Sequence, residues 1–564
     1  MTFTHLYLHN EYSFLDGVGS SAQYISKVKA LKMTAAAITN HGNVTGCIEW
    51  QKECDKRGIS PILGCEAYIV KDARIKKQGE KRGHIVLLVK NHQGWIDLCR
   101  ILTHAHLEGF YNRPRIDFGD LLNTDLSNFV ILTGCIASFV NLPGGMEALT
   151  ILQKRVPDSL YLEIMPHDYP PQYEHNKKML EMHNEFGIPL IATNDCHYIE
   201  EEDWETQEVL LAIQRKAKWN DKNRFKFSLK GLHLKTEREM QIGFMKHCFS
   251  RDQIKEAIAN TAIAAKACCD FRIPKQDISL PNPYEGHKDS DNEILDELCW
   301  QKIEKFDLDR HYQNRYRQEY ALIKKKDFSR YFLIFYDLVQ WCSKNGIPVG
   351  PGRGSVAGSL IAFLIGITKI DPIKFHLSFA RFISEDRGDW PDIDMDFAKR
   401  DREKVREYIR QKYGLNHTCG ISTDMRLKNK AAVQAVARVF DTGDKVLVKD
   451  AIKFSSLIQK EDNALQNAID GDGAWFAKKY PRVIHFAKKL ENQVRGQSQH
   501  PAGQIISEED LTLGTKCVLI KRKKVLVSCW DMAGCDYSGL MKMDILGLST
   551  LSVLDECERL INLK

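Results

Sequence analysis

The first half of the chain alternates short apolar runs with segments of helical periodicity. The apolar runs that predict β-strands lie at residues 3–8, 35–39, 59–70, 85–89, 129–133, 160–164 and 188–193. Between the first two runs, Ile25, Val28 and Leu31 recur at helical spacing and predict a helix over residues 22–31. Strands that alternate with helices are typical of a parallel sheet, either open or closed into a barrel.

Polar side chains that can bind metals follow or interrupt these predicted strands. They are His9, Asp16, His41, Glu66, His84, Cys135, Asp195 and His197. A single histidine or cysteine near a strand end is more often a packing or capping residue than a ligand. Together, these residues offer nitrogen, oxygen and sulfur donors suited to Zn²⁺ or Mn²⁺. We therefore favour a barrel, because strand-end positions in α/β barrels converge on one face.

The segments that carry these donors resemble the polymerase-and-histidinol-phosphatase (PHP) domain family. They read His-Leu-Tyr-Leu-His at 5–9, Leu-Asp-Gly at 15–17, Thr-Asn-His-Gly-Asn at 39–43, Leu-Gly-Cys-Glu at 63–66, Thr-Gly-Cys at 133–135 and Thr-Asn-Asp-Cys-His at 193–197. The resemblance implies a metal cluster that hydrolyses phosphoesters. One metal-binding histidine of the family corresponds to Tyr7, and tyrosine is a poor ligand at neutral pH because its pKa is about 10. The alternatives are an incomplete metal site and a decayed site kept for structure.

Length and composition limit the class of protein. The chain has 564 residues, too many for one hydrophobic core, so we expect about three domains. Its 43% hydrophobic and 27% charged residues exclude wholesale disorder, and a net charge of +6 permits nucleic-acid binding without arguing for it. The 16 cysteines show no C-x-x-C pattern and no secretion signal precedes them, which predicts reduced thiols in the cytoplasm. The most apolar stretch, residues 360–367, is too short for a membrane span, so we expect a soluble protein.

A glycine-rich loop lies in the second half of the chain. Residues 350–355 read Gly-Pro-Gly-Arg-Gly-Ser and precede an apolar stretch, 356–365, that predicts a buried helix. Glycines let backbone N–H groups turn inward, and a helix start adds the positive end of a dipole, so together they can hold phosphates. The loop is not a Walker A motif, because the Gly-Lys-Ser/Thr ending is missing. On its own, a plain tight turn explains it equally well.

An acidic segment with strict alternation follows. Asp392, Asp394 and Asp396 alternate with apolar residues between Pro391 and Phe397. In a strand this period of two places the carboxylates on one face, at an i/i+2 spacing of roughly 6.5 Å that suits a pair of Mg²⁺ ions. An acidic edge strand facing solvent is the alternative, which the poor strand propensity of aspartate disfavours.

A further carboxylate lies in residues 540–548, which read Leu-Met-Lys-Met-Asp-Ile-Leu-Gly-Leu. On a strand, Lys542 and Asp544 share one face, opposite the apolar residues. Two metals need several carboxylates, and a nearby lysine would neutralise phosphate charge. A lone Asp and Lys in a strand are usually surface residues, so this pair gains meaning only beside the acidic segment.

Together these segments closely resemble the C family of bacterial replicative DNA polymerases, the alpha subunits of DNA polymerase III. The matching residues are 350–359, Arg381 and Phe382, 391–397, 495–503 (Arg-Gly-Gln-Ser-Gln-His-Pro-Ala-Gly) and 540–548. The resemblance implies that two Mg²⁺ ions are held by the catalytic residues Asp394, Asp396 and Asp544. It implies that the incoming nucleotide is bound by Gly352, Arg353, Gly354, Ser355 and Lys542. Asp392 has no catalytic counterpart in the family and is expected to support the strand.

The resemblance also implies an α/β multi-domain protein. A distorted (β/α) barrel of the PHP type is expected at 1–275, and a nucleotidyltransferase-type α+β palm at 276–430 and 511–564. A helical thumb at 431–510 would grip product duplex by its backbone, through Lys428, Lys430, Arg438, Lys445, Arg482, Lys488, Lys489 and Arg495. One departure is Asp-Met-Arg-Leu-Lys at 424–428, where the family usually shows a Gly-Thr pair, so the local duplex contact is expected to differ.

Members of this family are longer and continue into fingers, a clamp-binding segment and an oligonucleotide-binding fold. This chain opens at Met1 and stops at Lys564, shortly after the third aspartate. We therefore expect a split gene, in which a second polypeptide supplies the fingers. A truncated product is the alternative.

The sequence thus predicts template-directed DNA synthesis in replication, with deoxynucleotides transferred from dNTPs to a primer 3′-hydroxyl. The expected partners are primer–template DNA, dNTPs, the fingers-bearing polypeptide and, through it, a sliding clamp and other replisome subunits, but no membrane. One rival is a metal-dependent PHP-type phosphoesterase or 3′–5′ exonuclease, which Tyr7 in the barrel site argues against. The other rival is a non-catalytic replisome assembly module, which the intact aspartates argue against.

Overall fold

The computed structural model describes residues 3–227, 229–284, 289–386, 390–522 and 525–562. Met1 and Lys564, on which the split-gene expectation rests, lie outside these ranges. The strands are β1 (Ala35–Ile38), β2 (Ser60–Val70), β3 (Gly83–Val89), β4 (Arg115–Asp117), β5 (Phe129–Leu132), β6 (Leu160–Ile164), β7 (Leu190–Ala192), β8 (Asp394–Ala398), β9 (Thr418–Arg426), β10 (Val494–Ile506), β11 (Leu519–Arg522), β12 (Val525–Ser528) and β13 (Met541–Leu548).

The helices follow in the same chain order. They are α1 (Ser21–Ala30), α2 (Cys47–Arg57), α3 (His92–Leu107), α4 (Phe118–Leu122), α5 (Gly145–Arg155), α6 (Pro170–Phe186), α7 (Trp204–Arg215), α8 (Glu237–Phe244), α9 (Arg251–Cys268), α10 (Asp291–Lys305), α11 (Arg310–Lys325), α12 (Ser329–Lys344), α13 (Leu360–Leu364), α14 (Arg402–Tyr413), α15 (Asn429–Phe440), α16 (Val446–Leu457), α17 (Ala464–Asp470), α18 (Ala474–Lys479), α19 (Pro481–Lys489), α20 (Met532–Tyr537) and α21 (Ser549–Asn562).

The chain divides into two compact units. The first comprises Met1–Pro274, Thr423–Ser498 and Thr512–Lys521, and the second comprises Lys275–Ser422, Gln499–Leu511 and Arg522–Lys564. Each unit is built from separate stretches of sequence. The division into barrel, palm and thumb at the boundaries given above stays a prediction.

The first unit contains a curled sheet in the order β1-β2-β3-β5-β6-β7, with β4 beside β2. Most neighbouring strands in this sheet are parallel, as the alternation of strands and helices predicts. The prediction of an all-parallel sheet is wrong at β3, which runs antiparallel to both β2 and β5. The reason is local: residues 71–82 join β2 to β3 without a crossover helix, which a parallel connection needs.

The prediction of a regular strand at residues 3–8 is wrong. These residues instead connect the two edges of this sheet. On one side Ala37 N donates to His5 O, and Thr39 N donates to Leu8 O at 3.0 Å. On the other side His9 N donates to Cys196 O at 2.7 Å. The segment therefore closes the sheet into a barrel-like ring by single hydrogen bonds rather than by a continuous ladder.

The first unit also contains a group of helices, α15 to α19. Their core residues, such as Val433, Phe454 and Phe486, are buried together with Val209 and Leu210 of α7. The predicted helical segment at 431–510 ends at α19, because residues Val494–Ile506 form β10. That strand buries Ile505 and Ile506 completely, so sheet packing overrides the helical expectation.

The second unit is built around the strands that carry the acidic residues. β8 pairs in parallel with β13, β13 pairs antiparallel with β10, and β12 pairs in parallel with β9. Helices α10 to α14 supply much of its hydrophobic core, which includes Phe332, Phe335 and Leu360. Within the described ranges, no helix is both long and apolar enough to cross a membrane.

Candidate metal centres

The acidic residues of the second unit lie on two adjacent parallel strands. Asp394 of β8 and Asp544 of β13 are register partners, and Asp396 is opposite Leu546. The predicted alternation is confirmed on both strands. Ile393, Met395 and Phe397 of the acidic segment are buried in one core with Met541, Met543 and Ile545. The carboxylates therefore share the other face of the sheet.

Two cationic side chains lie between these carboxylates. Lys542 Nζ is 2.8 Å from Asp544 Oδ2 and 3.8 Å from Asp392 Oδ2. Arg353 Nε is 3.5 Å from Asp394 Oδ2, and its NH1 is 3.5 Å from Asp396 Oδ1. Each cation thus bridges two carboxylates, which offsets repulsion along the acidic face.

The electrostatics show that this face is short of positive charge. Burial and the charge of Asp394 raise the pKa of Asp396, and the nearby Arg353 only partly opposes this. The pKa of Asp392 is likewise raised, first by burial. Burial acts to lower the pKa of Lys542, but the hydrogen bond to Asp544 and the surrounding carboxylates raise it overall. The face therefore favours a bound cation.

The donor set fits divalent cations. Asp392, Asp394 and Asp544 each offer an oxygen within 4.8 Å of the others'. The buried Oδ1 atoms of Asp396 and Asp544 have no hydrogen-bond partner among the residues that the structure describes. Carboxylate oxygens are the ligands that Mg²⁺ prefers. In the structure, Asp392 is the third carboxylate of this set, beside Asp394 and Asp544. The resemblance instead assigns metal binding to Asp396, and this assignment stays a prediction.

The glycine-rich loop runs beside the same strand. Gly350 N donates to the backbone oxygen of Asp396 at 2.8 Å. Gly352 and Gly354 have φ values of +106° and +68°, a backbone conformation that favours glycine. Arg353, Gly354 and Ser355 are exposed beside the carboxylates, where a triphosphate could reach them.

The helix predicted over residues 356–365 is shorter in the structure. Residues Gly354–Gly358 form a 3₁₀ turn, and α13 begins only at Leu360. The N–H groups of Leu360 and Ile361 donate to the Glu319 carboxylate at 3.0 and 3.2 Å. The predicted contribution of this helix start to phosphate binding is therefore wrong, because a buried carboxylate already caps it.

Glu319 and Arg315 of α11 were missed by the sequence reasoning. Glu319 is fully buried and also accepts a hydrogen bond from Ser359 Oγ at 3.0 Å. Arg315 pairs with it at 2.6 Å and donates to Gly358 O at 2.8 Å. These contacts fix the far end of the glycine loop. The i,i+4 spacing of the pair was the only signal in the sequence, and such pairs usually lie on surfaces.

The first unit holds the other set of predicted metal ligands. His9 and His41 follow the strand segments at the barrel's end, Glu66 lies within β2, and His84 within β3. Asp195 has a φ of +48°, an uncommon backbone conformation that places its carboxylate among these rings.

Short contacts connect all eight residues of this set. His9 Nε2 lies 3.0 Å from Glu66 Oε2 and 3.1 Å from Asp195 Oδ1. His41 Nδ1 lies 2.9 Å from Glu66 Oε2. The remaining contacts are His41 with Asp16 at 3.3 Å, His197 with Asp16 at 3.7 Å and with Asp195 at 3.5 Å, His84 with Glu66, and Cys135 with His84 at 3.5 Å.

Burial and opposite charges set the protonation of this cluster. The pKa of Glu66 is held well below its usual range, since His41 and His84 outweigh the effect of burial. The pKa of His41 is raised well above its usual range, because Glu66 and Asp16 likewise outweigh burial. Protonation of His41 therefore balances the charge of the neighbouring carboxylates in the protein alone.

The cluster also fits metal ions. His9, His41 and His197 bring donor atoms within 4.8 Å of one another, and so do His9, Glu66 and Asp195. Several of these buried atoms are joined by short ion-pair contacts but make no hydrogen bond of good geometry in the described part of the chain: His9 Nε2, His41 Nδ1, His197 Nε2, both Glu66 oxygens and Asp195 Oδ1. Imidazole and carboxylate donors together suit Zn²⁺ or Mn²⁺.

Tyr7 lies at the edge of this cluster. Its ring centroid is 5.4 Å from that of His9, and its buried hydroxyl has no hydrogen-bond partner in the ranges described. Burial raises the pKa of Tyr7 well above its usual value, and the nearby Cys135 and Glu66 add to this. The hydroxyl therefore stays neutral, which disfavours it as a metal ligand.

The predicted basic residues of the helical group are all exposed. Two of them are held in ion pairs: Lys489 with Asp203 at 2.8 Å and Arg482 with Glu205 at 2.5 Å. Arg426, in the segment that departs from the family pattern, pairs with Glu11 at 3.1 Å. This ion pair connects the residues just before the helical group to the barrel residues of the same unit.

Comparison with known proteins gives two matching family models. Residues 5–167 match the PHP domain, and residues 293–547 match the bacterial DNA polymerase III alpha NTPase domain. The polymerase match contains the acidic residues of the second unit, and the PHP match contains the barrel set except for Asp195 and His197.

Curated relatives match over the whole chain. The chain is 34% identical to a DNA polymerase III subunit alpha of Borreliella burgdorferi, over 99% of this chain and 49% of the relative. It is 32% identical to that of Treponema pallidum and 31% identical to that of Thermus aquaticus, over 100% of this chain and 49% and 52% of those relatives. The chain thus spans about half the length of the curated relatives that it matches. A solved amidohydrolase from Chromobacterium violaceum aligns with 37% of this chain and 97% of its own, at 13% identity and a TM-score of 0.25.

Proposed function

Since this chain belongs to the family of bacterial DNA polymerase III alpha subunits, we propose that it carries the catalytic palm of a replicative DNA polymerase. The proposed reaction is template-directed transfer of deoxynucleotides from dNTPs to a primer 3′-hydroxyl. The observation that carries the proposal is the acidic face of β8 and β13, where Arg353 and Lys542 each bridge two carboxylates. An acidic face interleaved with cations beside a glycine loop suits a triphosphate and its counterions.

Metal dependence follows from both family domains, and we propose Mg²⁺ for the palm. Asp394, Asp396 and Asp544 would hold two ions, which supply Lewis-acid activation of the primer hydroxyl and charge stabilisation on the leaving pyrophosphate. The carboxylates contribute by their fixed positions on paired strands, which cost no reorganisation during the reaction. Asp392 is the most exposed of the group, with 59% of its side chain accessible, and we assign it a supporting role.

The cations and the loop would bind the triphosphate. Lys542 is largely buried and held by Asp544, so it presents a fixed positive charge. Arg353 is half exposed and can turn from the carboxylates toward phosphate oxygens. Gly352, Gly354 and Ser355 add backbone and hydroxyl donors on the same side.

Primer–template DNA is the proposed partner of the helical group α15 to α19. The exposed basic residues there would contact phosphates, which gives affinity without sequence readout. Such contacts suit an enzyme that copies any template. The thiols are mostly buried, and none forms a disulfide in the described part of the chain, which suits the reducing cytoplasm.

For the barrel we propose a metal site of reduced occupancy. Zn²⁺ or Mn²⁺ would be held by the histidines and carboxylates around Glu66, and Tyr7 offers no charged donor at the place of a family histidine. A PHP-type phosphoesterase or 3′–5′ exonuclease is the second candidate function. The donor atoms of His9, Glu66 and Asp195, which lie within 4.8 Å of one another, favour it.

We propose that fingers complete this palm in the working enzyme, and that a fingers-bearing polypeptide would connect the palm to a sliding clamp and other replisome subunits. Base selection needs a surface that closes over the nascent pair. We therefore expect this chain alone to bind primer–template weakly and with strong salt dependence.

Primer extension tests the proposal. The chain should extend a primer little or not at all in Mg²⁺, and addition of the fingers-bearing polypeptide from the same genome should restore synthesis. Template-faithful extension by the chain alone would show that the fingers are not needed. No extension by the mixture, under conditions where both proteins are folded, would contradict the polymerase proposal.

A further inference from the structure

Glu163 of β6 carries a fully buried carboxyl group that has no part in the metal sites described above. Its Oε2 accepts a hydrogen bond from Gly134 N at 2.9 Å, and its Oε1 is hydrogen-bonded to the Thr193 hydroxyl. Strand β6 lies between β5 and β7 in the sheet, and Gly134 and Thr193 lie just beyond the ends of those two strands. One side chain therefore connects both neighbouring strand ends.

Both of these strand ends carry predicted metal ligands. Cys135 follows Gly134 directly, and Asp195 lies two residues after Thr193. Both ligands belong to the cluster of barrel donors described above. The contacts of Glu163 thus end next to ligands from two different strands.

The backbone at both places has a conformation that needs support. Gly134 has a φ of +87°, and a Cβ atom there would lie 2.5 Å from His84 O, so the chain passes close to β3 at this point. Asp195 has a φ of +48°, which is uncommon for a residue with a side chain. Such conformations persist only where surrounding contacts fix them. The contacts of Glu163 next to them supply part of that constraint.

Further hydrogen bonds join β6 to the same strand ends. Glu163 N donates to the Thr133 hydroxyl at 2.9 Å, and Thr193 N donates to Ile164 O at 3.0 Å. Burial raises the pKa of Glu163 to about 8. Both side-chain contacts survive protonation, because a protonated Oε1 donates to the Thr193 hydroxyl instead of accepting from it. The connection between the strands is therefore present in either state.

Glu163 is poorly suited to a purely stabilising role. Its carboxyl group loses its hydration on burial, and within the described ranges it forms no ion pair with a basic side chain. Two hydrogen bonds to neutral groups offset only part of that loss. An apolar side chain of similar volume would fill the same space at less cost, so the contacts with the ligand-bearing strand ends account better for a carboxyl group here.

From these contacts we propose that Glu163 is a positioning residue for the metal ligands of the barrel. It acts through Gly134 and Thr193, which hold Cys135 and Asp195 in place. The inference rests on the metal site proposed for the barrel and deepens it. Groups that orient metal ligands without binding the ion commonly change metal affinity by about 10- to 100-fold when they are removed.

The Zn²⁺ affinity of the whole chain measures this positioning. Competition with a chromophoric chelator gives the Kd, in excess Mg²⁺ so that the palm carboxylates do not contribute. Thr193→Val removes the hydroxyl that contacts Glu163 and should raise the Kd by about 10- to 100-fold. Thr193→Ser keeps a hydroxyl and should leave the Kd within about 3-fold of that of the unmodified chain.

Substitution of Glu163 itself gives a second pair of variants. Glu163→Gln can accept from Gly134 N and donate to the Thr193 hydroxyl, so it should keep the Zn²⁺ Kd within about 3-fold. Glu163→Leu fills a similar volume without either contact and should weaken binding as Thr193→Val does. Co²⁺ bound in place of Zn²⁺ reports the ligand geometry in its absorption spectrum. That spectrum should change in Glu163→Leu and Thr193→Val and stay the same in the two conservative variants.

Thr103→Val separates positioning from stability. Thr103 is buried on α3, a helix that carries none of the predicted metal ligands, and its hydroxyl accepts a hydrogen bond from Leu519 N at 3.1 Å. The variant should lower the Tm of the metal-free chain, as Thr193→Val does, because each leaves a buried polar group without its partner. It should leave the Zn²⁺ Kd and the Co²⁺ spectrum unchanged.

Three results would overturn the positioning role. They are equal Kd values for Thr193→Val and Thr193→Ser, an equal loss of affinity in Thr103→Val and Thr193→Val, and an unchanged Co²⁺ spectrum in Glu163→Leu. Tight Zn²⁺ binding that is indifferent to these substitutions would remove the positioning role and leave the barrel metal site standing. Failure of Zn²⁺ to bind the unmodified chain would remove the metal site and the positioning role together.

Discussion

Asp394 and Asp544 lie directly opposite each other in the parallel register of β8 and β13. Neither carboxylate is left alone on that face, because Arg353 approaches Asp394 at 3.5 Å and Lys542 approaches Asp544 at 2.8 Å. The two cations stand where divalent ions and a triphosphate would bind. On the proposed function, Arg353, the more exposed of the two, would turn from the carboxylates toward the triphosphate, while Lys542 would stay beside Asp544.

Substitution of Arg353 tests this exchange. Arg353→Ala removes the cation between Asp394 and Asp396, so the chain should bind Mn²⁺ at least as tightly as before, while dNTP affinity of the complete enzyme falls about 10-fold, as expected for a lost charge-assisted contact. Calorimetric titration with Mn²⁺ and nucleotide measures both. Lys374→Ala, an exposed change outside the loop, should alter neither. Weakened Mn²⁺ binding in Arg353→Ala would mean that Arg353 supports the metal site rather than competing for it.

The cap on α13 should matter for stability. Glu319→Ala leaves the N–H groups of Leu360 and Ile361 buried without their acceptor and removes the carboxylate partner of Arg315, which should cost about 3 kcal/mol. Urea unfolding of the chain gives the change in free energy. Glu407→Ala, which removes an exposed i,i+3 pair with Arg410, should cost less than about 0.5 kcal/mol. Equal effects of the two substitutions would refute the capping role.

The contrast between these sites shows what the sequence could and could not predict. The alternation around Asp394 predicted which side chains share each face of its strand, because side chains in a strand repeat every two residues. The pairing of Asp394 with Asp544 depends on a parallel register between distant segments, which no local pattern contains. Glu319 was missed for the same reason, since the hydroxyl and N–H groups that it accepts from come from the start of α13, and only Arg315 comes from its own helix.

Two predictions about the fold were wrong, for different reasons. Strand β3 turned out antiparallel because residues 71–82 form no crossover helix, a feature that the apolar run at 85–89 does not reveal. Residues 494–506 form β10 rather than helix, because pairing with β13 buries Ile505 and Ile506. In the second case tertiary contacts decided what the local pattern left open.

The contact of Arg426 with Glu11 should depend on pH. Burial raises the pKa of Glu11 to about 6 although Arg426 opposes it, so ionising Glu11 between about pH 4.5 and 6 lowers the stability of the folded protein. Removal of the opposing cation makes that ionisation more costly. Arg426→Ala should therefore destabilise the chain by about 3 kcal/mol at pH 8 and by clearly less at pH 5.

Thermal unfolding at the two pH values measures this difference. Glu49 and Asp424 lie 3.0 and 3.1 Å from the Tyr12 hydroxyl beside Arg426, and Glu49, whose pKa burial also raises, should act in the same direction as Glu11. Lys428→Ala, an exposed change two residues away, serves as the control. A loss of equal size at pH 5 and pH 8 would show that packing rather than charge accounts for the role of Arg426.

The barrel site should hold fewer metals than a complete cluster. Elemental analysis of the purified chain should find less than three equivalents of transition metal, and chelation should lower the Tm, because bound ions stabilise only the folded cluster. Tyr7→His restores a nitrogen donor beside His9 and should raise the metal content. His92→Ala changes an exposed histidine and should leave it unchanged. Three equivalents in the unmodified chain, or brisk metal-dependent trimming of a mismatched primer, would contradict this account.

The central claim, a palm in which Asp394, Asp396 and Asp544 hold the catalytic metals, is tested most directly by single-turnover incorporation of one nucleotide by the complete enzyme in Mg²⁺. Replacement of any of the three by Asn should lower the rate at least roughly 1,000-fold, since several kcal/mol of transition-state stabilisation disappear. Asp392→Asn, the neighbouring change on the same face, should lower it less than about 10-fold. Near-normal incorporation by Asp396→Asn, together with a large loss in Asp392→Asn, would contradict the assignment.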